Sequence, residues 1–202
     1  MALATPLVIG RALLADDPLY ARVAVGDRDA CVELALDAGA QMACAVRAEC
    51  GGDPDAIAAW CGVPVIDTDA SADFGHTIIF ATYATRPAPG RIFLCRSAIA
   101  RADALLADVD IAAALGIHAA RPIYLAHELF HHFDGARGTV PVARRQPVTL
   151  IAVGPWRWTG GLASLAEIAA GAFAQELLGL RTHPHALDRQ LLGEPEARSR
   201  AA

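Results

Sequence analysis

Between residues 122 and 133 the chain reads Pro-Ile-Tyr-Leu-Ala-His-Glu-Leu-Phe-His-His-Phe, an apolar helical run with polar groups at fixed places. At 3.6 residues per turn His127 and His131 share one face, the separation at which two imidazoles can hold one metal ion. Glu128 is turned about 100° from His127, where it can reach a metal-bound water without coordinating. Leu125, Ala126, Leu129, Phe130 and Phe133 predict a buried helix, and buried imidazoles beside a buried carboxylate need a compensating partner. Whatever fold the chain adopts must therefore bring another ligand to this helix.

The residue types point to Zn2+, with His127 and His131 as two ligands and Glu128 as a base. The longer pattern HExxHxxGxxH requires glycine at 134 and histidine at 137; the chain has Asp134 and Arg137, which excludes a metzincin-type site. Candidates for the third ligand are Asp134 on the same helical face, His183 or His185 near the C-terminus, and Glu167 in the last long helix. Glu167 is the choice, because Ser164 is the only other polar residue between Leu162 and Phe173 and an unpaired carboxylate in such a helix is costly to bury. Its face continues through Ala170, Gly171 and Ala174, small residues expected to let this helix approach the His127 helix closely. Asp134 is then expected either to hold a ligand imidazole by its other ring nitrogen or to serve simply as part of the helix terminus. His132 points away from His131 and reads as a packing or surface residue. Tyr124, His76 and the His183-Pro184-His185 segment are candidate partners for a reaction oxyanion.

The remaining sequence supplies a scaffold for these two helices. The 202 residues, 54% of them apolar, suit a single domain over 1–202, and the net charge of −5 argues against nucleic acid or an anionic lipid membrane as the main partner. Polar residues at 29, 33, 37 and 41 predict an amphipathic helix over 29–49 that stops at Gly51-Gly52. Asp53-Pro54 starts a short helix that ends at Gly62. Runs at 63–66, 77–83 and 91–95 read as strands of a small, largely antiparallel sheet, with helices at 97–107 and 110–115 behind them. Asp134-Gly135 is expected to close the His127 helix. Residues 136–160 read as a long connection with a strand at 148–153 and a Trp156-Arg157-Trp158 cluster, followed by a helix over 162–180 and a polar tail, frayed over 194–202. No charge-free apolar run of about twenty residues is present, so no membrane span is expected. The start of the chain lacks a basic leader, and the five cysteines form no CxxC pair; both fit a cytoplasmic protein with reduced thiols.

Two segments give the chain a family resemblance. Ala126-His127-Glu128-Leu129-Phe130-His131-His132 is similar to the AHExxHH stretch of the ImmA/IrrE-type zinc metallopeptidases, and the segment from Glu167 to Leu178 is similar to their ExxANxFAxxLL stretch. Weaker similarity reaches back through residues 58–65 and 90–94, so that residues 53–184 form the metallopeptidase-like core and 1–52 a helical extension packed on it. The resemblance implies an α+β, zincin-like fold, helices on a small mixed or antiparallel sheet, with Glu167 on the ligand glutamate. Gly171 departs from the usual asparagine, and Gly179-Leu180 from Met-Pro. Many relatives carry a helix-turn-helix domain and act on repressors; nothing of that kind is visible here.

The expected function is hydrolysis of a peptide or protein substrate by a zinc-activated water, with Glu128 as general base and the strand at 91–95 as a free sheet edge for the substrate backbone. The alternative is a metal-binding regulatory or interaction module with little proteolytic activity, against which Glu128 argues, since a purely structural site has no use for it.

Overall fold

The computed structural model describes residues 4–69, 73–74, 77–88, 90–136 and 140–192. The chain opens with helix α1 (Pro6–Ala15), whose first turn is capped by the Thr5 hydroxyl accepting the Val8 N–H. Helix α2 (Arg28–Cys50) covers the expected 29–49 segment and buries Val32, Ala35, Gly39, Ala43 and Val46. In helix α3 (Pro54–Cys61) the Asp53 carboxylate accepts the Asp55 N–H, and Gly62 ends the helix in the left-handed conformation at φ 67°.

Strands β1 (Val65–Thr68), β2 (Asp73–Phe74), β3 (Thr77–Ile78), β4 (Ala81–Ala84) and β5 (Arg91–Cys95) follow. The 77–83 run is two strands rather than one: β3 pairs with β2, and β4 pairs antiparallel with β5. The larger sheet has the order β1-β5-β4, with β1 parallel to β5. Residues 91–95 are therefore the central strand, not a free edge, because β1 and β4 both hydrogen-bond to it. Ile92 and Leu94 are fully buried, which gives that strand its place. The edge that packs against the His127 helix is β4.

Helices α4 (Arg96–Leu106) and α5 (Val109–Leu115) lead to α6 (Arg121–Ala136), which carries His127, Glu128 and His131. Asp103 fixes its start by accepting the Ala120 N–H at 2.9 Å. The helix runs through Asp134-Gly135, where the sequence predicts its end, to Ala136. After a 3₁₀ turn at 142–144 come β6 (Val148–Val153) and β7 (Trp156–Gly160), an antiparallel hairpin where the sequence predicts one strand and a tryptophan cluster. Helix α7 (Ala163–Leu178) carries Glu167, and α8 (His185–Leu191) stands where a polar tail is expected, anchored by the fully buried Leu187. Residues 193–202 lie outside the described residues. Helices dominate this mixed α+β chain, and each sheet has two or three strands. Among the described residues no helix is long and apolar enough to cross a membrane.

Helix α7 is the centre of the packing, between α2 and α6. On the α2 side Gly39 meets backbone: a Cβ there would lie 2.1 Å from the Ala169 carbonyl oxygen. On the α6 side Phe173 meets Phe130 and Phe133, with ring centroids 6.0 and 6.1 Å apart. Leu162 supplies no side-chain cap to α7, and Asp17 does so from a distance by accepting the Ser164 N–H at 2.9 Å.

Candidate metal centre

His127 and His131 project from one face of α6, and Glu167 faces them from α7. Their contacting atoms converge: His127 Nε2 lies 3.1 Å from Glu167 Oε2, His131 Nε2 lies 3.3 Å from His127 Nε2, and His131 Nε2 lies 3.5 Å from Glu167 Oε1. All three ligand atoms fall within 4.8 Å of one another. Ligands held about 2.0 Å from a tetrahedral zinc ion are about 3.3 Å apart, so the donor set and its spacing fit that ion. The imidazoles are half-buried and the Glu167 side chain is 52% exposed, which leaves the cluster accessible from one side.

The charges on these groups are strongly coupled. Burial acts to raise the Glu167 carboxyl, but the hydrogen bond and charge of His127, with the more distant His131 and His185, hold it down to about 2. Burial acts to lower His127, and Glu167 first, then Glu128 and Asp188, outweigh it and raise that imidazole. His131 is pushed down to about 4 by burial and by the neighbouring His127 charge. The two imidazoles are thus shifted in opposite directions, His127 up towards the charged form and His131 down towards the neutral one.

Glu128 is buried between α6 and the sheet edge. Burial above all raises its carboxyl, the Glu167 charge adds to this, and the His127 charge and a hydrogen bond from the Tyr83 backbone in β4 partly offset it. A carboxylate raised in this way and anchored from one side is suited to take up and release a proton.

Asp134 does not take its expected place. Both its oxygens accept the Val142 N–H, at 3.0 and 3.2 Å, so it fastens the 142–144 turn to α6 rather than holding a ligand imidazole. His132 is half-buried, with Nδ1 2.9 Å from the Tyr83 hydroxyl. His76 lies outside the described residues. Tyr124 is buried, stacks on Phe80 at 4.1 Å, and donates its hydroxyl to Asp188 Oδ1 at 2.7 Å.

The two C-terminal histidines diverge. His183 is 1% exposed; its Nε2 donates to the Ile168 carbonyl at 3.2 Å and its Nδ1 accepts the His185 N–H at 3.3 Å, a neutral imidazole with both nitrogens engaged. It lies against Gly171, where a Cβ would come within 2.1 Å of its ring. Gly171 therefore makes room for His183 rather than for α6, while Ala170 and Ala174 are fully buried and Phe173 packs on Phe130 and Phe133. His185 Nδ1 lies 2.9 Å from Asp188 Oδ2. A cavity of about 90 Å³ is lined by Leu13, Tyr124, His127, Glu167, His185 and Asp188, placing this pair beside the cluster. Asp188 is a residue that sequence reasoning misses; the only hint is the spacing of Leu187 and Leu191, which marks a helix in a segment read as tail.

No protein-family description, characterised protein or solved structure matches this chain.

Proposed function

We propose that the chain is a zinc metallopeptidase with a zincin-like fold of the ImmA/IrrE type. The observation that carries this reading is the convergence of two imidazole nitrogens and one carboxylate, at spacings that suit a tetrahedral ion, next to a buried glutamate that is not part of the set. His127, His131 and Glu167 would hold zinc, which when bound would supply Lewis acidity towards a carbonyl and lower the pKa of a water. Glu128 takes the proton of the attacking water and delivers it to the leaving amine, and its raised carboxyl and Tyr83 anchor suit both steps. A substrate in extended conformation pairs with the β4 edge, which packs against α6. His185, oriented by Asp188 at the cavity wall, donates to the carbonyl oxygen as charge develops on it.

The test is zinc content together with cleavage of a peptide library, for the wild type, Glu128→Gln, His127→Ala and Glu167→Ala. Glu128→Gln is expected to keep its zinc and lose roughly 10²- to 10⁴-fold in rate, and the two alanine variants to lose zinc. Wild-type cleavage by Glu128→Gln would refute the catalytic assignment. Full zinc occupancy in Glu167→Ala would remove Glu167 from the ligand set.

A further inference from the structure

The charge of the chain is unevenly distributed. Its net charge is −5, yet residues 135–166 contain Arg137, Arg144, Arg145 and Arg157 and no acidic residue. This stretch includes the β6–β7 hairpin. Every residue from Ile151 to Thr159 is exposed, so the hairpin stands clear of the body on both faces. Its register pairs Ile151 with Trp158 and Val153 with Trp156, which places four large apolar side chains together on one face. They are 56, 60, 61 and 72% exposed for Ile151, Trp158, Val153 and Trp156 respectively. An apolar face of this kind is unusual on a free surface and marks a docking site.

Below the tip, the root of the hairpin is polar. A cleft of about 420 Å³ is lined by Arg144, Pro147, Thr159, Gly160 and Gly161. The acids packed beneath it do not cancel this charge at the surface. Asp17 is buried and accepts the N–H groups of Leu19 and Ser164, and Asp134 is buried and holds the Val142 N–H. Arg22 braces the root by donating to the Leu150 carbonyl at 3.2 Å.

We propose that this hairpin docks the protein tip-first on an anionic lipid bilayer, with Trp156, Trp158, Ile151 and Val153 entering the headgroup boundary on one face, and with Arg157 on the opposite face beside Ala152 and Arg144 at the root drawn to lipid phosphates. The hairpin is exposed on both faces from Ile151 to Thr159, and insertion of its tip into a bilayer boundary needs no complementary groove. Tryptophan is the side chain suited to that boundary, and arginines near an anionic surface add attraction. A second copy of the chain is disfavoured, since a stable dimer engages roughly 20–30 residues a side and the hairpin presents four apolar ones. The proposal is independent of the metal centre.

The test uses the full chain with vesicles of phosphatidylcholine alone and of phosphatidylcholine containing phosphatidylserine. In a Trp60→Phe background only Trp156 and Trp158 report, because the chain has 3 tryptophans. Flotation with the serine-containing vesicles and a blue shift of the tryptophan emission are expected, with little binding to phosphatidylcholine alone. Trp156→Ala/Trp158→Ala should abolish flotation. Arg144→Gln/Arg157→Gln should weaken it roughly thirty-fold, from about fivefold per arginine. Thermal melts by circular dichroism should match the wild type, since all four side chains are exposed. Absence of flotation by the wild type, undiminished flotation by the double tryptophan variant, or equal binding to both vesicle types overturns the proposal. So does binding to single-stranded oligothymidylate, in place of vesicles, that is lost in the same variants, because it would make the hairpin a nucleic-acid surface.

Discussion

Replacing Gly171 by alanine sets two effects of opposite sign against each other. In an ordinary helix interior the change stabilises by about 1 kcal/mol, because glycine has the greater freedom to lose. Here the added Cβ would lie 2.1 Å from Cε1 and 2.2 Å from Nε2 of His183. That ring cannot simply swing aside, since it is 1% exposed and bonded through both nitrogens, to the Ile168 carbonyl and the His185 N–H. If it stays, the overpacking costs about 1–3 kcal/mol; if it leaves, the buried Ile168 carbonyl loses its side-chain donor, at about 1–3 kcal/mol, and a space opens. Either branch exceeds the helix gain in most of its range, so Gly171→Ala is expected to destabilise by about 1 kcal/mol, a mid-range cost of about 2 less the gain of about 1. Urea unfolding followed by circular dichroism measures this. The same substitution made in a His183→Ala background should recover the helix gain, giving a coupling of about 2 kcal/mol. A Gly171→Ala protein as stable as the wild type, or more so, with His183 present would refute the assignment of Gly171 as the seat of that imidazole.

The same histidine makes stability depend on pH. Burial lowers His183 from 6.5 to about 4; between these values the unfolded chain binds a proton that the folded one does not, so its contribution is complete above about 6.5 and is lost as pH falls towards 4. The loss amounts to roughly 3 kcal/mol, and urea unfolding at pH 7 and pH 5 should show a smaller drop for His183→Gln than for the wild type. Gly39→Ala places a Cβ 2.1 Å from the Ala169 carbonyl oxygen, a backbone atom, and is expected to cost at least about 1–3 kcal/mol and lower the midpoint of a thermal melt. Tyr124→Phe removes the 2.7 Å hydrogen bond to Asp188 and is expected to cost about 1–2 kcal/mol in the same melts while zinc content stays unchanged.

Local signals were readable to the extent that their causes are local. Helix α3 carries its own start in Asp53-Pro54 and its own stop in Gly62, and the His127–His131 face follows from helical periodicity alone. Glu167 was legible for a different reason, the rarity of polar residues around it. What could not be read were assignments made by distant partners. Residues 91–95 look like any short apolar strand, and only the pairing of β1 and β4 on its two sides makes it central. Asp134 has the right helical phase for an imidazole, but the turn at 142–144 folds back and takes both its oxygens. The first strand of the hairpin is legible as an apolar run, but the second, Trp156-Arg157-Trp158, has no buried face to impose an alternation.

Glu167 also shows why residues 1–52 matter to the candidate site. A ligand carboxylate has to be held in place along its helix, since one residue of slip moves it 1.5 Å along the axis and about 100° around it. The residues just after Glu167 carry the contacts that prevent this. Ile168 lies within 3.6 Å of the position a Cβ on Gly10 would take and gives its carbonyl to His183, Ala169 meets Gly39, and Gly171 receives the His183 ring. Three residues before Glu167, the Ser164 N–H is held by Asp17. Helix α7 is therefore gripped by the N-terminal segment on one side and by the segment before α8 on the other, within two turns of the ligand position. Removing residues 1–52 would strip Gly10, Asp17 and Gly39 from that grip at once. The apolar face exposed on α7 would cost the truncated chain its fold, so the N-terminal helices support the candidate site as much as the core.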